Sequence, residues 1–140
     1  MKLKTLIVDD DKMVLALLRQ YLKAREELDV STADTPGEAL DMIKKEKFHL
    51  LISDIVMPEM DGITLLEEAK KADPLTHVIM ITAASTLGRV IESLGNGAMD
   101  FVMKPFMSPE DILDVVDVSI QRWERWNRVM KKTARKTLSE

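Results

Sequence analysis

The sequence predicts an α/β fold, a doubly wound parallel sheet of five strands with helices on both faces, and two observations carry that expectation. Short apolar runs alternate with longer stretches of helical period, the signature of βα units on a parallel sheet. Five such units follow one another without insertions, and right-handed crossovers then distribute the helices over both faces.

The first run is Leu3 to Val8. Val14, Leu17, Leu18, Tyr21 and Leu22 then recur at helical spacing and predict one buried helix face. A brief strand is expected from Val30 to Ala33. Thr35-Pro36-Gly37-Glu38 reads as a capping box with proline in the first turn, opening a helix that buries Ala39, Leu40 and Ile43. Phe48 to Ser53 is nearly all apolar and predicts a central strand buried on both sides. The turn from Met57 to Gly62 leads into a helix with Ile63, Leu66 and Ala69 inward. Val78 to Thr82 is the next strand, and Leu87, Val90, Ile91 and Leu94 mark the face of the helix that Gly95 and Gly97 end. Phe101 to Met103 is the fifth strand, and Ser108-Pro109-Glu110-Asp111 opens the last helix.

Composition narrows the class. With 46% hydrophobic and 31% charged residues in 140, the chain reads as one soluble domain with a sizeable core, and a cytoplasmic location is expected. No apolar run reaches the roughly 20 residues of a membrane span. The start, Met1-Lys2-Leu3-Lys4-Thr5, is not a secretory signal. Without cysteine there are neither disulfides nor thiolate metal sites, and His49 and His77 fit no zinc spacing. The net charge of −4 divides into +5 over residues 121–140 and −9 over the rest. An acidic body argues against nucleic-acid binding.

Ligands of doubly wound folds bind at the carboxyl ends of the strands. Those positions hold Asp9, Asp10 and Asp11 after strand one, Asp54 after strand three, Thr82 at strand four, and Lys104-Pro105 after strand five. Singly, each has a plain explanation: Asp11 suits a helix cap, Thr82 a strand, Lys104 a surface. Together they put carboxylates, a hydroxyl and an ammonium on one rim. Clustered carboxylates repel, and either share protons or take up a cation. Oxygen donors without His or Cys favour Mg²⁺ or Ca²⁺. Mg²⁺ engages only one or two protein carboxylates, which leaves one free to accept a phosphoryl group. Metal and ammonium would neutralise that group's oxygens. No His or Glu stands at another strand end to activate water, so the site reads as an acceptor, not a hydrolase.

On these residues the chain resembles the receiver domains of two-component response regulators. The resemblance rests on Leu6-Ile7-Val8-Asp9-Asp10-Asp11, on Ser53-Asp54-Ile55-Val56-Met57-Pro58-Glu59-Met60-Asp61-Gly62, on Ile81-Thr82-Ala83 and on Gly97-Ala98-Met99-Asp100-Phe101-Val102-Met103-Lys104-Pro105-Phe106. It implies a flavodoxin-like sheet of order 2-1-3-4-5, a fold that the chemotaxis regulator exemplifies. It implies Asp54 as phosphoacceptor from a sensor histidine kinase or phosphotransfer protein. Mg²⁺ is then held by Asp9, Asp10, Asp54 and the main-chain carbonyl of Val56, and phosphoryl contacts come from Thr82 and Lys104. It further implies a cis bond at Pro105, Phe101 as the switch aromatic, and an output partner or domain on the face of helix four, strand five and helix five. Such a domain is no enzyme beyond slow loss of its own phosphoryl group. Three positions depart from the common pattern: residue 101 is Phe where many members carry Tyr, and Val56 and Ala84 are apolar where phosphoryl lifetime is tuned.

The family's last helix ends near residue 121, so residues 1–121 are read as the domain and 122–140 as a basic extension. Val116, Ser119, Trp123, Trp126 and Met130 are spaced three and four apart and suit a helix–helix seam, for a linker, a homodimer or a bound partner, with an amphipathic tail packed on its own domain as the plain alternative. No DNA-binding segment follows, and direct DNA contact is not expected. The rival from another class is a haloacid-dehalogenase-type phosphatase, which shares an aspartyl-phosphate, Thr, Lys and Mg²⁺. It wants Asp-x-Asp-x-Thr/Val after strand one, where Asp9-Asp10-Asp11-Lys12-Met13 ends in Met.

Overall fold

The computed structural model of the chain describes residues 2–83 and 87–139, the side chains of Leu87 and of residues 135–139 excepted. Ala84, one of the three departing positions noted above, lies outside the described residues. The elements alternate: β1 Leu3–Val8, α1 Lys12–Leu22, β2 Leu28–Ala33, α2 Pro36–Lys45, β3 Leu50–Asp54, α3 Gly62–Ala72, β4 His77–Thr82, α4 Leu87–Gly95, β5 Asp100–Met103 and α5 Glu110–Ser139. All strand pairs are parallel, in the order β2-β1-β3-β4-β5. Chain direction across the sheet reverses between β1 and β3, which is where Asp9 and Asp54 emerge side by side.

Alternation along the strands divides the core between two faces. Ile7, Ile52, Ile79 and Ile81 pack beneath α1 and α5 against Leu18, Leu22, Ile112 and Val116. Leu6, Val8, Leu51 and Met80 point the other way, against Leu65, Leu66, Ala69 and Val90 of α3 and α4. β3 is buried along its whole length, as its apolar run requires. Each fully buried aliphatic side chain contributes roughly 1.5–3 kcal/mol.

The structure corrects several sequence expectations. β2 begins earlier, at Leu28, and β3 begins at Leu50. In α1 the buried set is Leu15, Leu18 and Leu22, while Leu17 is 36% exposed. Apolar residues occupy more than half the circumference of α1, so periodicity alone leaves its rotation open by one residue. In α4, Val90 and Ser93 face inward, whereas Ile91 is 71% and Leu94 42% exposed. Ser93 tolerates burial because its hydroxyl donates to the Val90 carbonyl at 2.7 Å.

Of the readings open for the Trp123–Trp126 stripe, Trp123 takes the one packed on its own domain. Trp123 is 2% exposed, folded back on its own domain. Its indole N–H donates to the His49 carbonyl at 3.0 Å. Its ring meets His49 at 4.9 Å and His77 at 5.4 Å, and Trp126 meets both His77 and Trp123. Two histidines at the starts of neighbouring strands supply a flat ledge at the foot of the sheet, which indoles cover better than a second helix would.

Candidate functional site

β1 delivers Asp9 to the carboxyl edge, where the side chain is buried and accepts the Asp11 N–H at 2.9 Å. Asp11 turns outward and caps α1 by accepting from the Met13 N–H, also at 2.9 Å. Asp10 is exposed beside them. β3 delivers Asp54, and the β3–α3 loop folds tightly over its base. Gly62 is required there: a Cβ would lie 2.1 Å from the Asp54 carbonyl oxygen. The Gly62 N–H donates to the Ile55 carbonyl at 2.7 Å, and Asp61 caps α3 through the Thr64 N–H at 3.0 Å. Asp61 also pairs with Arg89, joining the starts of α3 and α4.

Lys104 reaches across from the end of β5. Its Nζ stands 2.9 Å from Asp9 Oδ2 and 3.2 Å from Asp54 Oδ2. The Lys104 N–H donates to the Thr82 carbonyl at 2.7 Å, which fixes the base of the side chain, and the Lys104–Pro105 bond is cis. Thr82 is buried at the end of β4, with its hydroxyl donating to the Ala83 carbonyl at 3.0 Å. Val56 is largely exposed, and its N–H lies 3.4 Å from Asp54 Oδ1. Phe101 is half-buried against the α3–α4 side of the core.

The electrostatics follow from this packing. Burial pushes the Asp9 carboxyl up, and the neighbouring charge of Asp54 adds to it, against the pull of the Asp11 N–H and Lys104. Burial disfavours the Lys104 ammonium, but its hydrogen bond to Asp9 and the charge of Asp54 outweigh that and hold it above the usual lysine range. One ammonium thus stands against two carboxylates, and the excess is negative.

Carboxylate oxygens of Asp9, Asp10 and Asp54 all lie within 4.8 Å of one another. Three hard oxygen donors at that spacing fit a magnesium-sized dication. The structure therefore brings together Asp9, Asp10, Asp54 and Lys104, with Thr82, Val56 and Phe101 around them. Sequence reasoning missed Asp61–Arg89 and the steric need for Gly62. The Asp-Gly pair signalled a turn, but only its folded approach to Asp54 shows why no larger residue fits.

Comparisons agree with this geometry. The model of the response regulator receiver domain matches residues 5–117. The chemotaxis protein CheY of Bacillus subtilis is 32% identical over 117 residues, covering 84% of this chain and 97% of that protein. A protein-glutamate methylesterase/protein-glutamine glutaminase of a Shewanella strain is 34% identical over 139 residues, but this chain spans only 39% of its length. Among solved structures, a CheY-like receiver domain protein of Methanospirillum hungatei superposes with a TM-score of 0.82 at 36% identity, covering 89% of this chain and 98% of that one. Some relatives are enzymes, yet the shared domain is a signalling module and is not itself catalytic. With the sheet order, the acidic rim and the bridging lysine in place, the chain belongs to the receiver domains of two-component response regulators, whose general role is to accept a phosphoryl group in signalling.

Proposed function

We propose that Asp54 is the phosphoacceptor of this chain, and that Lys104 reads its modification. The observation that supports this is the ammonium held between Asp9 and Asp54, at 2.9 and 3.2 Å, on the rim where strand order reverses. An Asp54 oxygen attacks the phosphorus of a phosphohistidine on a sensor kinase or phosphotransfer protein. The O–P bond forms as the P–N bond breaks, and the histidine leaves with the electron pair. Asp9, Asp10, Asp54 and the Val56 carbonyl would hold Mg²⁺, which when bound supplies positive charge to the phosphoryl oxygens. Lys104 neutralises the same oxygens from the β5 side, without moving far from its present contacts.

The modified side chain carries more negative charge and three acceptor oxygens. These draw the Thr82 hydroxyl away from the Ala83 carbonyl, and Phe101 turns into the space beside β4. A shift from mostly off to mostly on needs roughly 5.5 kcal/mol of differential stabilisation. Two charge-assisted contacts and a neutralising cation are of that order. The output face is formed by α4, β5 and α5, where Ile91, Leu94 and Met103 are exposed. Among the described residues, no helix is long and apolar enough to cross a membrane.

Intact-mass analysis after incubation with acetyl phosphate and Mg²⁺ tests the assignment. The parent gains one phosphoryl group, and Asp54→Asn gains none. Steady turnover of a generic phosphomonoester would instead support the phosphatase reading.

A further inference from the structure

α4 is held to the core by few side chains. Of those described in it, only Val90 and Ser93 are buried, whereas α3 buries Ile63, Leu65, Leu66 and Ala69. Ile91 and Leu94 face solvent. An element with so little buried apolar surface belongs to the low-stability end of a domain, from which moving parts are drawn. Among the described residues, Arg89 makes the one ion pair that ties α4 to another element, and its partner is Asp61.

Asp61 is the fixed member of that pair. Its Oδ1 accepts the Thr64 N–H at 3.0 Å as the cap of α3. The next residue, Gly62, is pressed against the Asp54 carbonyl and donates its N–H to the Ile55 carbonyl at 2.7 Å. The carboxylate is thus referenced to the strand that carries Asp54. Burial pushes its pKa up, but the Thr64 N–H and the Arg89 guanidinium outweigh that and hold it below the usual carboxylate range. At its other end, α4 is joined to Thr82 by only four residues, 83–86.

We infer that the Asp61–Arg89 pair is a brace that holds the start of α4 in its unmodified position, and that Arg89 thereby restrains phosphoryl transfer to Asp54. The inference rests on Asp54 as the acceptor. Movement of Thr82 towards a phosphoryl group pulls on residues 83–86, and through them on the first turn of α4. The pair opposes that pull, because one partner is anchored at the acceptor loop and the other rides on the helix. Its loss removes a contact from the unmodified arrangement alone and raises the population of the reactive one. Arg89 is therefore a positioning residue: it acts through α4 and Thr82, not on the reacting atoms.

The initial rate of phosphoryl uptake from acetyl phosphate and Mg²⁺, followed by intact mass, tests the brace in Arg89→Gln, Asp61→Asn and the double variant. Asparagine keeps the cap of α3 and removes only the charge. Each single variant should take up the group about two- to fivefold faster than the parent, the range for one half-exposed ion pair. The double variant should be no faster than either, since one interaction is lost in all three. The gain should fade with added salt. Hydrogen exchange of residues 88–95 should quicken in all three before any phosphodonor is added, while α1 and α3 stay protected. A long-range charge effect would instead move the two single variants in opposite directions, and that result overturns the inference. So does unchanged or slower uptake by Arg89→Gln, or a double variant at the product of the singles. A parent that takes up nothing refutes the role of Asp54 instead; the brace is then judged on the exchange of α4, where unchanged protection overturns it.

Discussion

The two edges of the sheet both bury ionisable groups, and they treat them in opposite ways. At the carboxyl edge Asp9 and Asp54 stay close together, with Lys104 bridging them and an excess of negative charge left over. At the amino edge His77 is 1% exposed, packed against Trp123 and Trp126, and among the described residues neither ring nitrogen has a hydrogen-bond partner. There the group is kept neutral: burial lowers the imidazole pKa from 6.5 to about 4. The carboxyl edge retains charge that chemistry can use, at a cost in stability. The amino edge surrenders charge and gains packing, including the anchor for α5. Substitutions at the amino edge should therefore lower stability and leave phosphoryl uptake alone, while removal of a charge at the carboxyl edge should lower uptake and raise stability.

The largest stability loss is expected from Trp123→Ala, which empties a fully buried indole site and removes the hydrogen bond to His49. It should cost about 3–5 kcal/mol in urea unfolding, with phosphoryl uptake per folded molecule unchanged. Loss of uptake in the folded fraction would break the division between the edges.

Next is the acid response of His77. As pH falls from 6.5, the unfolded chain takes up the proton before the folded one, so the unfolded state binds more protons in this interval. The contribution of neutral His77 is thus fully present above about pH 6.5 and is lost as pH approaches 4. The loss is up to roughly 3 kcal/mol. His77→Phe should flatten most of that slope, leaving a remainder from His49, whose pKa burial and Lys47 also lower.

The smallest effect, and opposite in sign, is expected from Asp9→Asn. With its folded pKa raised above 3.8, Asp9 destabilises the fold increasingly as pH rises through that range, because the unfolded carboxyl ionises first. Removing the charge should raise the urea midpoint at neutral pH while weakening Mg²⁺-dependent phosphoryl uptake. A variant both less stable and fully active would reverse the comparison.

How much of this was legible in the sequence follows the same division. The βα order and the rim residues could be read because strand ends in a doubly wound sheet are fixed by topology, so Asp9, Asp54, Thr82 and Lys104 had to converge. Helix rotation could not be read where apolar residues cover most of a helix, as Leu17 of α1 and Ile91 of α4 show. The His49–His77–Trp123–Trp126 cluster was hidden for another reason. Its members come from three elements distant in sequence, and Trp123 and Trp126 at helical spacing look the same whether they meet a partner helix or the foot of their own sheet. Gly62 marked a turn, but its contact with the Asp54 carbonyl exists only in the folded chain.

The most direct test of the account is the mass of the intact chain after acetyl phosphate and Mg²⁺, measured beside Asp54→Asn under the same conditions. The account predicts a single phosphoryl group on the parent, absent when Mg²⁺ is chelated before acetyl phosphate is added, and none on the variant. An unmodified parent, or a variant modified to the same extent, would contradict it.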